Sequence, residues 1–129
     1  MTTPDPNEYQ REYLVSVGER PWGMYVVLAN ELDVKVKKIT VNPHHRLSLQ
    51  CHQKRDEHWF IHKGVASITL NEQEMVLHAG ESVDIPRGSK HRIGNERNEN
   101  LVFIEVQTGD YFGEDDIERF EDDYDGERP

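Results

Sequence analysis

Between Tyr13 and Asn95 the chain is cut into short apolar runs by turn residues, and few windows carry a helical period. That pattern restricts the fold more than any other feature. Val34 and Val36 alternate with lysines, and Ile39 and Val41 continue in the opposite parity, which suggests a bulge near Lys37–Lys38. Leu47 and Leu49 interleave with Ser48 and Gln50. The run His58-Trp59-Phe60-Ile61 follows, then Ala66, Ile68 and Leu70 alternating with Ser67 and Thr69. Asn71-Glu72 reads as a hairpin tip before Met75-Val76-Leu77. Val83 with Ile85, and then Leu101 to Val106, complete about eight short, evenly spaced strands, the signature of an all-β sandwich or barrel.

A length of 129 residues suits one domain. Residues 1–12 read as a polar, flexible arm, 13–120 as the domain and 121–129 as an acidic, solvated tail. Asp115 to Phe120 is expected to form one helical turn, with Ile117 and Phe120 three apart. Fifteen Lys and Arg against 25 Asp and Glu leave a formal charge of −10, which argues against nucleic acid and anionic membranes as partners. No apolar run approaches a membrane span, and the N-terminus carries no signal-like segment. The single cysteine, Cys51, excludes an internal disulfide framework and fits a reducing, cytoplasmic setting. Strands 58–62 and 101–106 are apolar on both faces, so a homodimer that covers sheet edges is expected.

Two spaced motifs carry the chemistry. One is Gln50-x-His52-x4-Glu57-x6-Gly64; the other is Gly80-x5-Pro86-x-Gly88-x2-His91-x3-Asn95. Gln50 and His52 lie two apart on a strand, so both side chains share a face. A hairpin tip at Gln53–Asp56 returns the chain so that Glu57 faces the same interior. Pro86 and Gly88 make the turn that presents His91. Four N and O donors converging inside a barrel suit one divalent Zn, Mn, Co or Fe ion. Trp59 should point inward beside them, and Cys51 and His58 outward. His62 and His78 read as surface residues, and His44 and His45 as part of a turn.

These motifs resemble the paired signatures of the cupin superfamily, small jelly-roll barrels with one metal. Gln50 stands where the common motif has its first His. The stretches RLSLQCHQKRDEHWFIHKGVASITL, IPRGSKHRIGN and IEVQTGDYFGEDDIERFEDDY, with RPWGMYVVL at 20–28, are similar to the cupin domain of type II mannose-6-phosphate isomerases. In many of those proteins this domain follows a mannose-1-phosphate guanylyltransferase. The resemblance spans residues 19–125. It implies a metal-dependent aldose–ketose isomerase that interconverts mannose 6-phosphate and fructose 6-phosphate, with a separate guanylyltransferase as a partner.

Lys54 stands where the family often has His. Lys54, Arg55 and His58 are the catalytic candidates, and the base stays open among them. Arg55 and Lys90 are the candidates for the substrate phosphate, Arg55 reaching over the barrel mouth from the hairpin tip. The other reading of Arg55 is a rim ion pair with Asp56 or Glu57. Lys90 and Arg92 flank His91 and by alternation face away from it. The run Glu114-Asp115-Asp116 is equally readable as a structural cap, as a partner for arginines or as a catalytic group. The rival to an isomerase is a non-catalytic, sugar-phosphate-binding or regulatory cupin; an Fe²⁺ oxygenase is a weaker third.

Overall fold

The computed structural model describes residues 17–124; the expected arm and residues 125–129 of the tail lie outside the described residues. Twelve strands form in that range. They are β1 (Val17–Arg20), β2 (Gly23–Asn30), β3 (Val34–Val41), β4 (His45–Arg46), β5 (Leu49–His52) and β6 (Arg55–Lys63), followed by β7 (Val65–Leu70), β8 (Gln73–His78), β9 (Ser82–Ile85), β10 (His91–Asn95), β11 (Leu101–Gly109) and β12 (Ile117–Glu121). One sheet runs β1-β2-β3-β11-β6-β9. The other runs β12-β5-β10-β7-β8, with β4 also on β10. Every pairing is antiparallel. This double-sheet barrel is the jelly roll expected from the strand spacing. The Asn71-Glu72 tip is confirmed as well. Asn71 adopts φ 54°, a left-handed conformation its short amide tolerates, between the paired Leu70 and Gln73.

Three local expectations change. The expected bulge at Lys37–Lys38 would keep all four apolar residues of β3 on one face. Instead β3 pairs with β11 without interruption from Val34 to Val41, and the irregularity falls on β2 between Val27 and Ala29. Strand alternation then puts Lys35, Lys37, Ile39 and Val41 on one face. Ile39 and Val41 are buried, so this is the inner face and Val34 and Val36 lie on the outer one. Second, Gln53–Asp56 is not a hairpin tip. β5 and β6 belong to different sheets, so Gln53-Lys54 is a corner between them. Asp116 caps that corner, accepting from the amides of Gln53 (3.2 Å) and Lys54 (3.0 Å). Third, the helical turn is shorter and earlier. It is a 3₁₀ turn at Glu114–Asp116, and Ile117–Glu121 pairs with β5 as a strand because that edge offers ladder partners. The run that follows is tied down by Arg46, which forks onto Asp123 at 2.7 and 3.0 Å.

The core is Trp22, Ile39, Val41, Trp59, Ile61, Ala66, Ile68, Ile85, Ile93, Leu101 and Phe103. It occupies one end of the barrel. Inward rows change character along their length. On β11 the row runs Leu101, Phe103, then Glu105 and Gln107; on β6, read from the other end, Ile61, Trp59, then Glu57 and Arg55. On β3 it runs Val41, Ile39, then Lys37 and Lys35. The register aligns Glu105 with Lys37 and Trp59, and Gln107 with Lys35 and Glu57. One end of the interior is therefore apolar and packed, and the other is charged.

Candidate metal centre

The charged end is assembled by the corner. Because the chain changes sheets between His52 and Arg55, β5 and β6 present their inward side chains from opposite walls. Gly109 has φ 151° and permits the close approach: a Cβ there would meet the Lys54 carbonyl at 2.4 Å. The Pro86–Gly88 turn is tied to β5 by the Gly88 amide, which donates to the His52 carbonyl at 2.6 Å. Gly88 itself takes φ 82°. His91 then enters at the start of β10, paired with Gln50.

His52, Glu57 and His91 are buried, and their ligating atoms all lie within 4.8 Å of one another. His91 Nδ1 faces the Ser89 carbonyl at 3.0 Å. The carbonyl only accepts, so the proton sits on Nδ1 and the Nε2 lone pair is free, the usual arrangement of a metal-binding imidazole. Burial holds the His91 imidazole below its ordinary pKa, favouring this neutral form, although Glu57 pulls the other way. His52 Nε2 lies 3.0 Å from Glu57 Oε2 and 3.2 Å from an Arg55 guanidinium nitrogen. It cannot donate to the first and accept from the second at once. Its Nδ1 is buried without a partner.

Glu57 Oε2 also accepts from Arg55 Nε at 3.0 Å, and Oε1 accepts from Trp59 Nε1 at 2.9 Å. Burial works to raise the Glu57 carboxyl, but the His52 hydrogen bond and the charges of His91 and Arg55 outweigh it. The group is held well below the usual carboxylate range. A lone pair, a buried anion and a second imidazole thus share a space that only a cation satisfies, and Arg55 supplies that charge. Donor atoms around a tetrahedral divalent ion at about 2.1 Å sit about 3.4 Å apart, so side-chain shifts on the order of 1 Å would close the cluster on an ion. Gln50 stands beside them and donates to Ser48 Oγ at 3.0 Å, leaving its amide oxygen for a fourth position. The donor set fits a divalent metal.

A cavity of about 80 Å³ opens against Gln50, Glu57 and His91, with Arg20, Lys37 and Glu105 also on its wall. Of the remaining sequence candidates, Arg55 and Arg92 line this cavity, and Lys54, His58 and Lys90 do not. Arg55 is 5% exposed and turned inward rather than over the mouth; besides Glu57 it donates to the Phe112 carbonyl at 3.3 Å. Its ion pair with Glu57 is therefore internal, while Asp56 pairs with Arg87 at 3.1 Å. Lys54 is exposed, its ammonium 5.0 Å from the Tyr111 ring. His58 lies on the outer face of β6, its Nδ1 2.6 Å from Asp84. Lys90 covers the Phe120 ring at 4.3 Å. None of these three lines the cavity. Arg92 is buried and ties β12 down, donating to Leu47 O and to Glu121.

Cys51 is buried against Glu118, and burial with that carboxylate raises its thiol pKa. Trp59 points inward as expected. Asp116 caps the corner, and Glu114 lies 3.5 Å from Arg20, so the acidic run serves as cap and as an arginine partner.

Among the residues of the charged end that were not singled out from sequence are Lys37 and Glu105. The signal for Glu105 was available, since it shares parity with Leu101 and Phe103 on a strand apolar on both faces. Lys37 was hidden because its neighbouring valines looked like the inward row.

A small antiparallel barrel whose polar end carries two histidines and a glutamate is a cupin. The chain belongs to the mannose-6-phosphate isomerase C-terminal family, whose profile matches residues 7–122. Among curated relatives it is 47% identical over 105 residues to the alginate biosynthesis protein AlgA of Pseudomonas aeruginosa and to the xanthan biosynthesis protein XanB of Xanthomonas campestris. It is 42% identical over 110 residues to a mannose-1-phosphate guanylyltransferase of Sinorhizobium fredii. These matches cover 81–85% of the chain but 22% of the relatives, so the chain spans about a fifth of their length. Similar solved structures include the capsular polysaccharide assembling protein CapF of Staphylococcus aureus (TM-score 0.73, 20% identity, covering 81% of this chain and 34% of that one). The cupin domain of Schizosaccharomyces pombe Cnp3 is another (TM-score 0.67, 16% identity, 75% and 72% covered). At such identities they establish the fold.

Proposed function

We propose that this chain is a metal-dependent isomerase interconverting mannose 6-phosphate and fructose 6-phosphate. The observation that carries the reading is the cluster of His52, Glu57 and His91, two of which, Glu57 and His91, line the cavity, in a member of this family. Gln50, His52, Glu57 and His91 would hold one divalent ion. When bound, it supplies a Lewis acid beside the sugar oxygens on which negative charge develops. Trp59 keeps Glu57 oriented through its indole N–H, and the Ser89 carbonyl fixes the His91 tautomer.

The cavity has room for roughly five to eight water-sized groups. That suits the reacting end of a sugar, and the phosphate then lies at the mouth. Arg20 and Lys37 stand there, 5.1 and 4.6 Å from the Tyr25 ring. Lys37 has no carboxylate within ion-pair distance among the described residues. These two replace Arg55 and Lys90 as the phosphate anchor, because Arg55 is engaged with Glu57 and Lys90 lies outside the cavity. Lys37→Met is expected to weaken mannose 6-phosphate binding about tenfold, the loss of one charge-assisted hydrogen bond, and to leave unphosphorylated mannose unchanged. Titration calorimetry with both sugars checks it; equal weakening of both would place the phosphate elsewhere.

The direct test of the reaction is a coupled assay for fructose 6-phosphate with metal-reconstituted protein. Turnover supports the isomerase. Tight binding of mannose 6-phosphate without turnover supports a sugar-phosphate-binding cupin instead.

Two copies are expected to pair through the outer face of the β3–β11–β6 sheet. Val36, Ile104, Val106 and the 40% exposed Phe60 form an apolar surface there. Sedimentation at micromolar concentration should show a species of twice 15.1 kDa; a monomer alone contradicts the pairing.

A further inference from the structure

We infer that Glu105 is the group that carries the proton between C1 and C2 of the sugar; the inference rests on the isomerase reading above. Three observations place it in that role. Glu105 lies on β11 with its side chain toward the same cavity as Glu57 and His91, so it reaches the reacting end of anything bound there. It is 7% exposed, yet it forms no ion pair among the described residues. Its one side-chain hydrogen-bond partner among the described residues is the Gln107 amide, which leaves an oxygen for substrate. A carboxylate kept in the interior without a direct ion pair costs stability, and the fold gains no structural contact that an amide would not supply.

The charges facing it come from each neighbouring strand: Lys37 on β3, and Glu57 and Arg55 on β6. Burial, and then the Glu57 charge, push the Glu105 carboxyl up to about 7, against the pull of Lys37, Arg55 and Gln107. A carboxylate that lines the cavity with one oxygen open to it can take a proton from carbon and return it, as proton transfer in two directions requires. Of the other candidates, Lys54 and His58 do not line the cavity, and Arg55, which does, is a guanidinium that stays protonated and is held on Glu57.

The step balances without a co-reactant. The Glu105 carboxylate takes the C2 proton of the open-chain aldose. The C2–H electron pair becomes the C1–C2 double bond, and the aldehyde π electrons move onto O1. The resulting enediolate takes the proton back from Glu105 at C1. The O2 hydroxyl proton passes to O1, and a ketone forms at C2.

The test uses the full chain loaded with metal and mannose 6-phosphate deuterated at C2. Loss of the C2 deuterium is followed by NMR, and sugar affinity and metal content are measured in parallel. In Glu105→Gln, deuterium loss and ketose formation should both fall by about 10²–10⁴-fold. Affinity and metal content should stay within threefold of wild type. Glu105→Asp keeps the carboxyl but withdraws it by one methylene, so its kcat should fall while KM holds. An active wild type with an equally active Glu105→Gln overturns the assignment alone. So does a Glu105→Gln variant that loses affinity or metal in step with rate, or that fails to fold while Glu105→Asp folds with unchanged kcat. A folded, metal-loaded wild type that leaves the C2 deuterium in place overturns the isomerase reading itself, and the role of Glu105 with it.

Discussion

In the variant carrying both His52→Ala and His91→Ala, bound metal is expected to drop to background, and fructose 6-phosphate formation with it. Even an outer hydrogen-bond partner of a metal ligand is worth about 10–100-fold in affinity. Two direct ligands lost together should therefore weaken binding by at least about 10⁴-fold, taking the upper figure for each. Elemental analysis after reconstitution reads the metal, and the coupled assay reads the activity. Both histidines are almost fully buried, so circular dichroism must show the β spectrum retained. Equal metal in wild type and variant would place the site elsewhere. The same site makes a pH statement. Only the neutral imidazole ligates, and burial keeps the His91 pKa low, so protons compete with metal for His91 only below the ordinary histidine range of about 6.5.

Arg55→Met is expected to cost the metal-free protein about 3–5 kcal/mol, because it leaves the buried Glu57 carboxylate without its cation. Adding Zn²⁺ or Mn²⁺ should recover most of that loss, because a divalent ion at His52, Glu57 and His91 neutralises the same charge. Denaturant midpoints with and without metal measure both effects. The alternative, an Arg55 that reaches out from the rim to hold phosphate, predicts the opposite pattern. A rim ion pair is worth at most about 1 kcal/mol, so stability would barely change and only sugar-phosphate affinity would fall. An unchanged midpoint in the metal-free variant therefore sinks the internal role. The distinction bears on function as well. If Arg55 holds the place of the cation, then metal loading must displace or share its contact with Glu57, and the two states of the site differ in how Glu57 is paired.

The sequence by itself determined the β class and singled out His52, Glu57 and His91, which the fold brings together. Period-two alternation is a local property, and a strand whose one face is buried displays it directly, as β7 does with Ala66 and Ile68. The spacing of His52, Glu57 and His91 is also read along the chain, and the residue types declare their chemistry. Several local features, in contrast, were open until the strands were paired. Whether Lys37 or Val36 faces inward depends on where the bulge sits. The β3–β11 register decided that by running unbroken and leaving the irregularity on β2. Whether Gln53-Lys54 is a hairpin or a corner depends on which sheet each flanking strand joins, which no local signal encodes. That one difference turned Arg55 from a rim residue into the partner of Glu57. The helical spacing of Ile117 and Phe120 was real in the sequence but weaker than the ladder bonds offered by β5, so the segment became a strand. The charged end of the barrel has the same origin. Lys37, Glu105 and Arg55 lie far apart in sequence on three strands, and only antiparallel register brings their side chains to one end of the interior, where burial gives Glu105 its unusual proton affinity.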